Sequence, residues 1–311
     1  MTLEGTNISG ERRRDGGMVA VARLLRPHQW VKNLLVLAAP LFAARLFEPA
    51  VLTRTLVATV SFCLISSAGY AFNDVRDRES DRLHPIKARR PVASGAVSPR
   101  AATVLAALLA LGALVMAAAA GVGVVICIVA YIGLQAAYST WGRNRALADV
   151  FLIASGFLLR AIAGAAAGPV AASPWFLALT LLLALMLGFG KRRAEISLLG
   201  TGQATARGSL GVYSVAMLDQ MLSALAASII VLYAIYAVSI GSRLGSGDMI
   251  LTWPLVLFGI IRYLQVSHTT ERPPDELLVT DRPLLATAIL YAGAAAVILH
   301  FHTHLITRVT L

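Results

Sequence analysis

The densest concentration of reactive side chains in this sequence is Asn73-Asp74-Val75-Arg76-Asp77-Arg78-Glu79-Ser80-Asp81-Arg82. On a continuing helix, Asp74, Asp77 and Asp81 stand at i, i+3 and i+7 and share one face. Three carboxylates beside the Asn73 amide make a hard oxygen site suited to Mg²⁺, which is held by a few carboxylates, waters and substrate phosphates. The plainer alternative is a solvated helix end on which Asp and Arg neutralise one another. Just beyond lies His84-Pro85-Ile86-Lys87-Ala88-Arg89-Arg90-Pro91, followed by Ser94-Gly95. Pro85 and Pro91 end regular helix. Lys87 and Arg90 then fall beside the acidic face, where cations can take diphosphate oxygens that a metal leaves uncovered.

A second charged block reads Gly190-Lys191-Arg192-Arg193-Ala194-Glu195, with three cations and one acid. Those residues suit anion binding better than metal binding. His300, His302 and His304 form an H-x-H-x-H run, but a spacing of two does not converge on one helix face. Cys63 and Cys127 both lie inside apolar runs, so neither a disulfide nor a metal site is expected from them.

The elements that must carry these blocks are membrane spans. The 311-residue chain is 58% hydrophobic and 14% charged, against roughly 25% charged in soluble domains, and its mean hydropathy is +0.74. Residues 101–140 hold no charged residue after Arg100, enough for two spans of about 20 residues each. Apolar runs near 30–47, 53–72, 102–119, 121–140, 148–168, 174–190, 214–240, 249–267 and 284–303 predict an all-α, polytopic fold of about nine transmembrane helices. Pro40 and Arg45 make the first run the weakest. Gly121, Gly123, Gly164 and Gly168 are expected to permit close helix packing.

Loop cations concentrate in alternate connections: the N-terminal tail, 73–101, 141–147, 191–213 and 268–283. The positive-inside rule places these in the cytoplasm, with the N-terminus inside, in the inner (plasma) membrane. The net charge of +11 is accounted for in the same way, so no nucleic-acid partner is expected. Residues 1–22 read as a flexible cytoplasmic tail and 23–311 as a single transmembrane domain. A transporter is disfavoured, because only Arg160 and Arg262 are charged well inside the spans and no polar path crosses the bilayer.

The N-D-x-x-D-x-x-x-D pattern after the second span, in a chain of this helix count, resembles the first aspartate-rich motif of the UbiA superfamily of intramembrane prenyltransferases. That resemblance implies a UbiA-like bundle in which the motif holds Mg²⁺ on a diphosphate, with Asp74 and Asp77 as the metal ligands. The superfamily carries a second aspartate-rich motif after span six, where this chain has Lys191-Arg192-Arg193 instead. Together with Arg26-Pro27-His28-Gln29-Trp30-Val31-Lys32-Asn33, Tyr138 with Gly142, and Arg160-Ala161-Ile162-Ala163-Gly164, the departure is similar to the superfamily's phosphoribosyltransferase branch. There the water-soluble substrate is phosphoribosyl pyrophosphate (PRPP) and the acceptor is a polyprenyl (decaprenyl) phosphate, feeding arabinan and cell-wall precursor synthesis. The alternative activity is prenyl-diphosphate-dependent transfer to an aromatic acceptor.

On this resemblance the residues take the following roles. Asp74, Asp77 and Asp81 are the catalytic acids, and Asp77 or Asp81 suits either metal ligation or stabilisation of a cationic ribose. PRPP would be met by Asn73, Lys87, Arg90, Tyr138, Arg160, Lys191, Arg192 and Glu195, with Lys191 and Arg192 on the 5-phosphate and Arg193 as a further candidate there. Tyr138 fits a substrate hydrogen bond and an interfacial belt equally. Arg160, within an apolar run, carries a cost of at least about 2.5–3.5 kcal/mol on insertion scales; its structural alternative is a pairing with Asp149 or Asp81. Arg26, Gln29, Lys32 and Asn33 would face the lipid phosphate, although an interfacial anchor also explains Trp30 and Lys32. A homo-oligomer is compatible with all of this.

Overall fold

A computed structural model describes residues 17–204, 210–244, 247–270 and 272–309; among them every regular element is helical. In chain order these are α1 (Gly17–Leu25), a 3-10 helix (Pro27–Leu37), α2 (Ala38–Phe42), α3 (Pro49–Arg76) and α4 (Arg78–Arg82). Then come α5 (Pro99–Ala120), α6 (Val122–Thr140), α7 (Ala148–Ala167), α8 (Pro174–Ala204) and α9 (Val215–Leu244). The chain ends with α10 (Trp253–Thr269), α11 (Pro274–Thr280) and α12 (Arg282–Val309). Helix starts follow local chemistry. Helices α3, α5, α8 and α11 open on proline, whose missing N–H costs nothing at the first position. Ser98 Oγ accepts the Ala101 N–H at 3.2 Å and Ser214 Oγ that of Met217 at 3.1 Å, satisfying donors the helices leave open.

Among the described residues, eight helices are long and apolar enough to cross a membrane: α3, α5 to α9, α10 with the turn before it, and α12. The protein is a multi-pass membrane protein. The stretch 30–47 is helical too, but as the 3-10 helix and the short α2. Its sequence shows why. Pro40 lacks a donor, and Ala44 turns the chain at φ 56°. A Cβ added at Gly164 of α7 would come 1.9 Å from the Val36 carbonyl oxygen, so that glycine lets the 3-10 segment lie directly on the helix.

By contact the chain divides into two units, Met1–Val31 with Leu64–Gly112, and Lys32–Cys63 with Ala113–Leu311. In the first, Ala20 and Leu24 of α1 pack with Ala71 of α3, Val92, Val97, and Ala102 and Ala106 of α5. Among the described residues, Gly17–Leu25 is helical. Ser67 Oγ donates to the Leu25 carbonyl at 2.9 Å and accepts Trp30 Nε1 at 3.0 Å, tying the exit of α1 to α3.

In the second unit α6, α7, α8 and α9 pack in sequence, around Val150, Leu185, Phe189, Leu218 and Leu222 among others. Small residues set the closeness: a Cβ at Gly188 would fall 2.5 Å from Val150 Cγ1, and one at Gly123 2.9 Å from Ala166 Cβ. Gly168 is also tight, 3.0 Å from Pro40 Cγ. Gly121 departs from the packing expectation. Nothing lies within 4 Å of its Cβ position, and its φ of 135° is what the turn between α5 and α6 needs.

Candidate active site

The aspartate-rich segment is almost one helix. Backbone bonds Asp77 N to Asn73 O (2.9 Å) and Asp81 N to Asp77 O (2.8 Å) carry the helical pattern across the break at Asp77, between α3 and α4. Asp74 and Asp81 therefore keep a common face, and both are buried. Arg90 proves it: its Nη1 lies 2.7 Å from Asp81 Oδ2 and 3.6 Å from Asp74 Oδ1. Asp77 is partly exposed, with Arg76 3.3 Å away. Asn73 and Lys87 are half-buried nearby in sequence, Lys87 opening the 3-10 turn Lys87–Arg89.

A second cation joins from α1's end. Arg26 Nη2 donates to Asp74 Oδ1 at 2.6 Å, with its guanidinium 5.0 Å from the centre of the Tyr70 ring. The Arg26 backbone has φ 52°, a left-handed conformation that a residue preceding proline seldom takes. Asp74 Oδ1 is thus held, whereas Asp74 Oδ2 is buried with no hydrogen-bond partner among the described residues. An orphaned carboxylate oxygen inside protein is costly, and it is the kind of atom a cation completes. No three His, Cys, Asp or Glu side chains among the described residues converge as a preformed metal cage. A Mg²⁺ ion is typically held by one or two carboxylates with water and substrate phosphates, so Asp74 with Asp77 fits that mode of binding.

In the second unit the Gly190–Glu195 block does not sit in a loop after span six, as its polarity suggested; it rides on α8, which continues to Ala204. Lys, Arg and Glu are good helix formers, and Arg192 and Glu195 pair across one turn. Lys191 is exposed, and among the described residues it makes no ion pair. Arg192 is buried, its Nε 2.7 Å from Asp149 Oδ2 and its Nη1 on Glu195. Its Nε is nonetheless a buried donor with no hydrogen-bond partner among the described residues. Arg193 points elsewhere, to Asp219, the Ser267 carbonyl and His268, clamping α8 to α9 and α10. Tyr138, in the last turn of α6, lies within electrostatic reach of Arg192.

Asp149 and Tyr213 belong to this network and were not among the site residues expected from sequence. Tyr213 Oη accepts the Leu147 N–H at 2.5 Å and donates to Asp149 Oδ1 at 3.3 Å. Burial pushes the Tyr213 phenol up from its ordinary value, against the Leu147 hydrogen bond, and the Asp149 charge adds to the rise, so it remains a donor at neutral pH. A signal did exist: an acid at the start of an apolar span needs a buried cation. What sequence could not give was which one.

Arg160 is buried and pairs with neither Asp149, which is taken by Arg192, nor Asp81, which is taken by Arg90. Its Nε donates to Asn33 Oδ1 at 2.7 Å, Nη1 to the Gly156 carbonyl at 2.8 Å and Nη2 to Tyr131 Oη at 3.0 Å. Phe62, Tyr131 and Phe157 rings surround the guanidinium at 4.8–5.6 Å. The four residues expected at the lipid phosphate are therefore dispersed in role: Arg26 on Asp74, Asn33 fully buried on Arg160 and Cys63, Gln29 and Lys32 half-buried between them in sequence. The side chains of His300, His302 and His304 lie outside the described residues.

With these contacts in place, comparison with known proteins is decisive about kinship. The UbiA prenyltransferase family model matches residues 33–191. The chain belongs to that family. Over 96% of its length it is 33% identical to the whole of a decaprenyl-phosphate phosphoribosyltransferase from Mycolicibacterium smegmatis. A protein of the same name from Corynebacterium glutamicum is 36% identical over 86% of this chain and 83% of its own. Among solved structures, a UbiA homolog from Archaeoglobus fulgidus bound to GPP and Mg²⁺ has the same fold, with a TM-score of 0.70 at 18% identity over 90% of this chain and 99% of that one. As a UbiA member the chain is a membrane transferase, and its aspartate-rich segment falls inside the matched region.

Proposed function

We propose that this chain transfers the 5-phosphoribosyl group of PRPP to a polyprenyl phosphate, decaprenyl phosphate by the names of its relatives, and releases pyrophosphate. The observation that carries the reading is Arg192: a buried guanidinium in ion pairs with Asp149 and Glu195, its Nε left without a hydrogen bond, beside the exposed Lys191. A second metal seat would need carboxylates not engaged by a cation, whereas Asp149 and Glu195 both face the Arg192 guanidinium, an arrangement suited to a sugar phosphate. The relatives named above support the same choice over an aromatic prenyltransferase.

Asp74 and Asp77 would hold Mg²⁺, which when bound neutralises the leaving diphosphate. Arg90, Lys87 and Asn73 take diphosphate oxygens that the ion does not cover, and Asp81 keeps Arg90 in place. Lys191 and Arg192 hold the 5-phosphate. The lipid phosphate is already anionic at pH 7 and needs no general base. Its oxygen attacks C1 as the bond to diphosphate breaks, with inversion, and catalysis is orientation plus electrostatic stabilisation. Arg26, Gln29 and Lys32 are the residues assigned to the lipid phosphate and Tyr138 to the ribose side, while Asn33 and Arg160, expected at the lipid phosphate and at PRPP, are engaged with one another. By the positive-inside rule the charged loops, the N-terminus and the chemistry face the cytoplasm across the plasma membrane, and the product would serve cell-wall arabinan synthesis.

The test is purified protein with Mg²⁺, PRPP labelled in the ribose, and decaprenyl phosphate, followed by lipid extraction. Label in the lipid phase with release of pyrophosphate is expected. Label confined to water, with prenyl diphosphate consumed when an aromatic acceptor is supplied, would overturn the reading.

A further inference from the structure

Leu147, just before α7, has φ 64° and ψ −50°, and the Ala148 N–H returns to the Ala146 carbonyl at 2.8 Å. This is a γ-turn of the strained hand, rare for a branched side chain and kept only where surrounding contacts enforce it. The contact that enforces it is Tyr213, whose hydroxyl receives the Leu147 N–H. The same hydroxyl donates to Asp149 Oδ1, which also takes the Val150 N–H at 2.8 Å. The carboxylate is fully buried and turned by these two donors so that Oδ2 meets Arg192 Nε.

We infer that Asp149 and Tyr213 are positioning residues that aim Arg192 at the 5-phosphate of PRPP; the inference rests on the proposed function. The order of contacts supports it. Leu147 is strained to bring its N–H to Tyr213, Tyr213 orients Asp149, and Asp149 with Glu195 forms ion pairs with one guanidinium whose buried Nε still lacks a hydrogen-bond partner. A brace needed only for packing would gain nothing from a strained turn, since an apolar pair of the same volume packs at least as well. A preorganised donor gains directly, because a planar guanidinium already aimed at its anion loses little freedom on binding.

The experiment uses full-length Tyr213→Phe and Asp149→Asn beside the parent protein, and compares competitive inhibition by ribose 5-phosphate with inhibition by pyrophosphate. Removing one hydrogen bond to a charged group should raise the inhibition constant for ribose 5-phosphate and the PRPP KM by about tenfold, with kcat and the pyrophosphate constant within about twofold. Added to Arg192→Lys, Tyr213→Phe should have little further effect, because the two act through one contact. An unchanged ribose 5-phosphate constant, or equal rises for both inhibitors, would overturn the inference, the second marking general loosening. Should Tyr213→Phe fail to fold, Asp149→Asn reads the same pair of constants. A parent protein that neither labels lipid from PRPP nor binds ribose 5-phosphate would sink the functional reading and this inference with it. A competent parent with indifferent variants would sink this inference alone.

Discussion

Two regions of the molecule solve the same electrostatic problem with opposite polarity. Around Asp74 a buried carboxylate is central and arginines hold it: Arg26 on Oδ1, and Arg90 shared with Asp81. Around Arg192 a buried guanidinium is central and carboxylates hold it, Asp149 on Nε and Glu195 on Nη1. In each, internal pairing stops one atom short. Asp74 is left with an acceptor, Oδ2, and Arg192 with a donor, Nε, which lies 2.7 Å from Asp149 Oδ2 without hydrogen-bonding it. A charge buried and almost satisfied is costly as a structural device, since an apolar core would stabilise as well. The unspent valence is therefore the informative part. It fits a cation at the first region and an anion at the second.

The largest test of that contrast is Asp74→Asn, which keeps shape and removes the free carboxylate oxygen. Transfer of labelled ribose to lipid should fall by about a thousandfold. Chelating Mg²⁺ should reduce the parent protein to a similar level while leaving the residual rate of the variant unchanged. Full turnover by Asp74→Asn would remove the metal from this region. Next in size is Arg192→Lys, which keeps the charge but loses the planar fork. The PRPP KM should rise about tenfold to a hundredfold, with a smaller change in kcat; an unaltered KM would break the anion half of the contrast. Asp81→Asn should cost less, about tenfold in kcat, because Arg90 keeps its longer contact with Asp74 when its nearer partner is neutralised.

Sequence alone showed the polarity of both regions but not their wiring. The i, i+3, i+7 spacing placed Asp74 and Asp81 on one face, because helical geometry over eight residues is local. Asp77 sits at the break between α3 and α4, with Arg76 3.3 Å away. Eight of the nine apolar runs are long helices; the stretch around Pro40 is not, since a 3-10 segment packed on Gly164 satisfies the same hydrophobic pattern. The long-range pairs were out of reach. Asp149 had Arg160 as an equally reasonable partner on cost alone, and only packing shows that Asn33, Tyr131 and the Gly156 carbonyl already satisfy Arg160. Tyr213 gave no signal, because its role depends on a strained turn at Leu147 that no residue type announces.

A third charged pair supplies the control, and its expected effect is the smallest. Arg262 and Asp281 meet on both oxygens, Nη2 to Oδ2 at 2.8 Å and Nε to Oδ1 at 3.2 Å. Arg262 Nη1 goes to Gln265 at 2.9 Å, and Asp281 Oδ1 also caps α12 by accepting the Leu284 N–H at 3.0 Å. Both oxygens of the carboxylate are used, so the pair should hold structure and bind nothing. The hydrogen bond from Arg262 keeps the Asp281 carboxyl below its ordinary value, with the Leu284 N–H adding to the effect. A depressed folded-state value means that the pair's contribution is present at neutral pH and is lost as pH falls through that value. The pair is near the surface, so screening keeps the effect modest: Asp281→Asn should lower the thermal midpoint in detergent by about 1–2 °C at pH 7. The difference from the parent should vanish at acid pH, where the parent's carboxylate is protonated too. Ribose transfer should stay within about twofold of the parent. A large loss of transfer in this variant would show that a fully paired carboxylate can matter as much as Asp74, and the argument from unspent valence would fail.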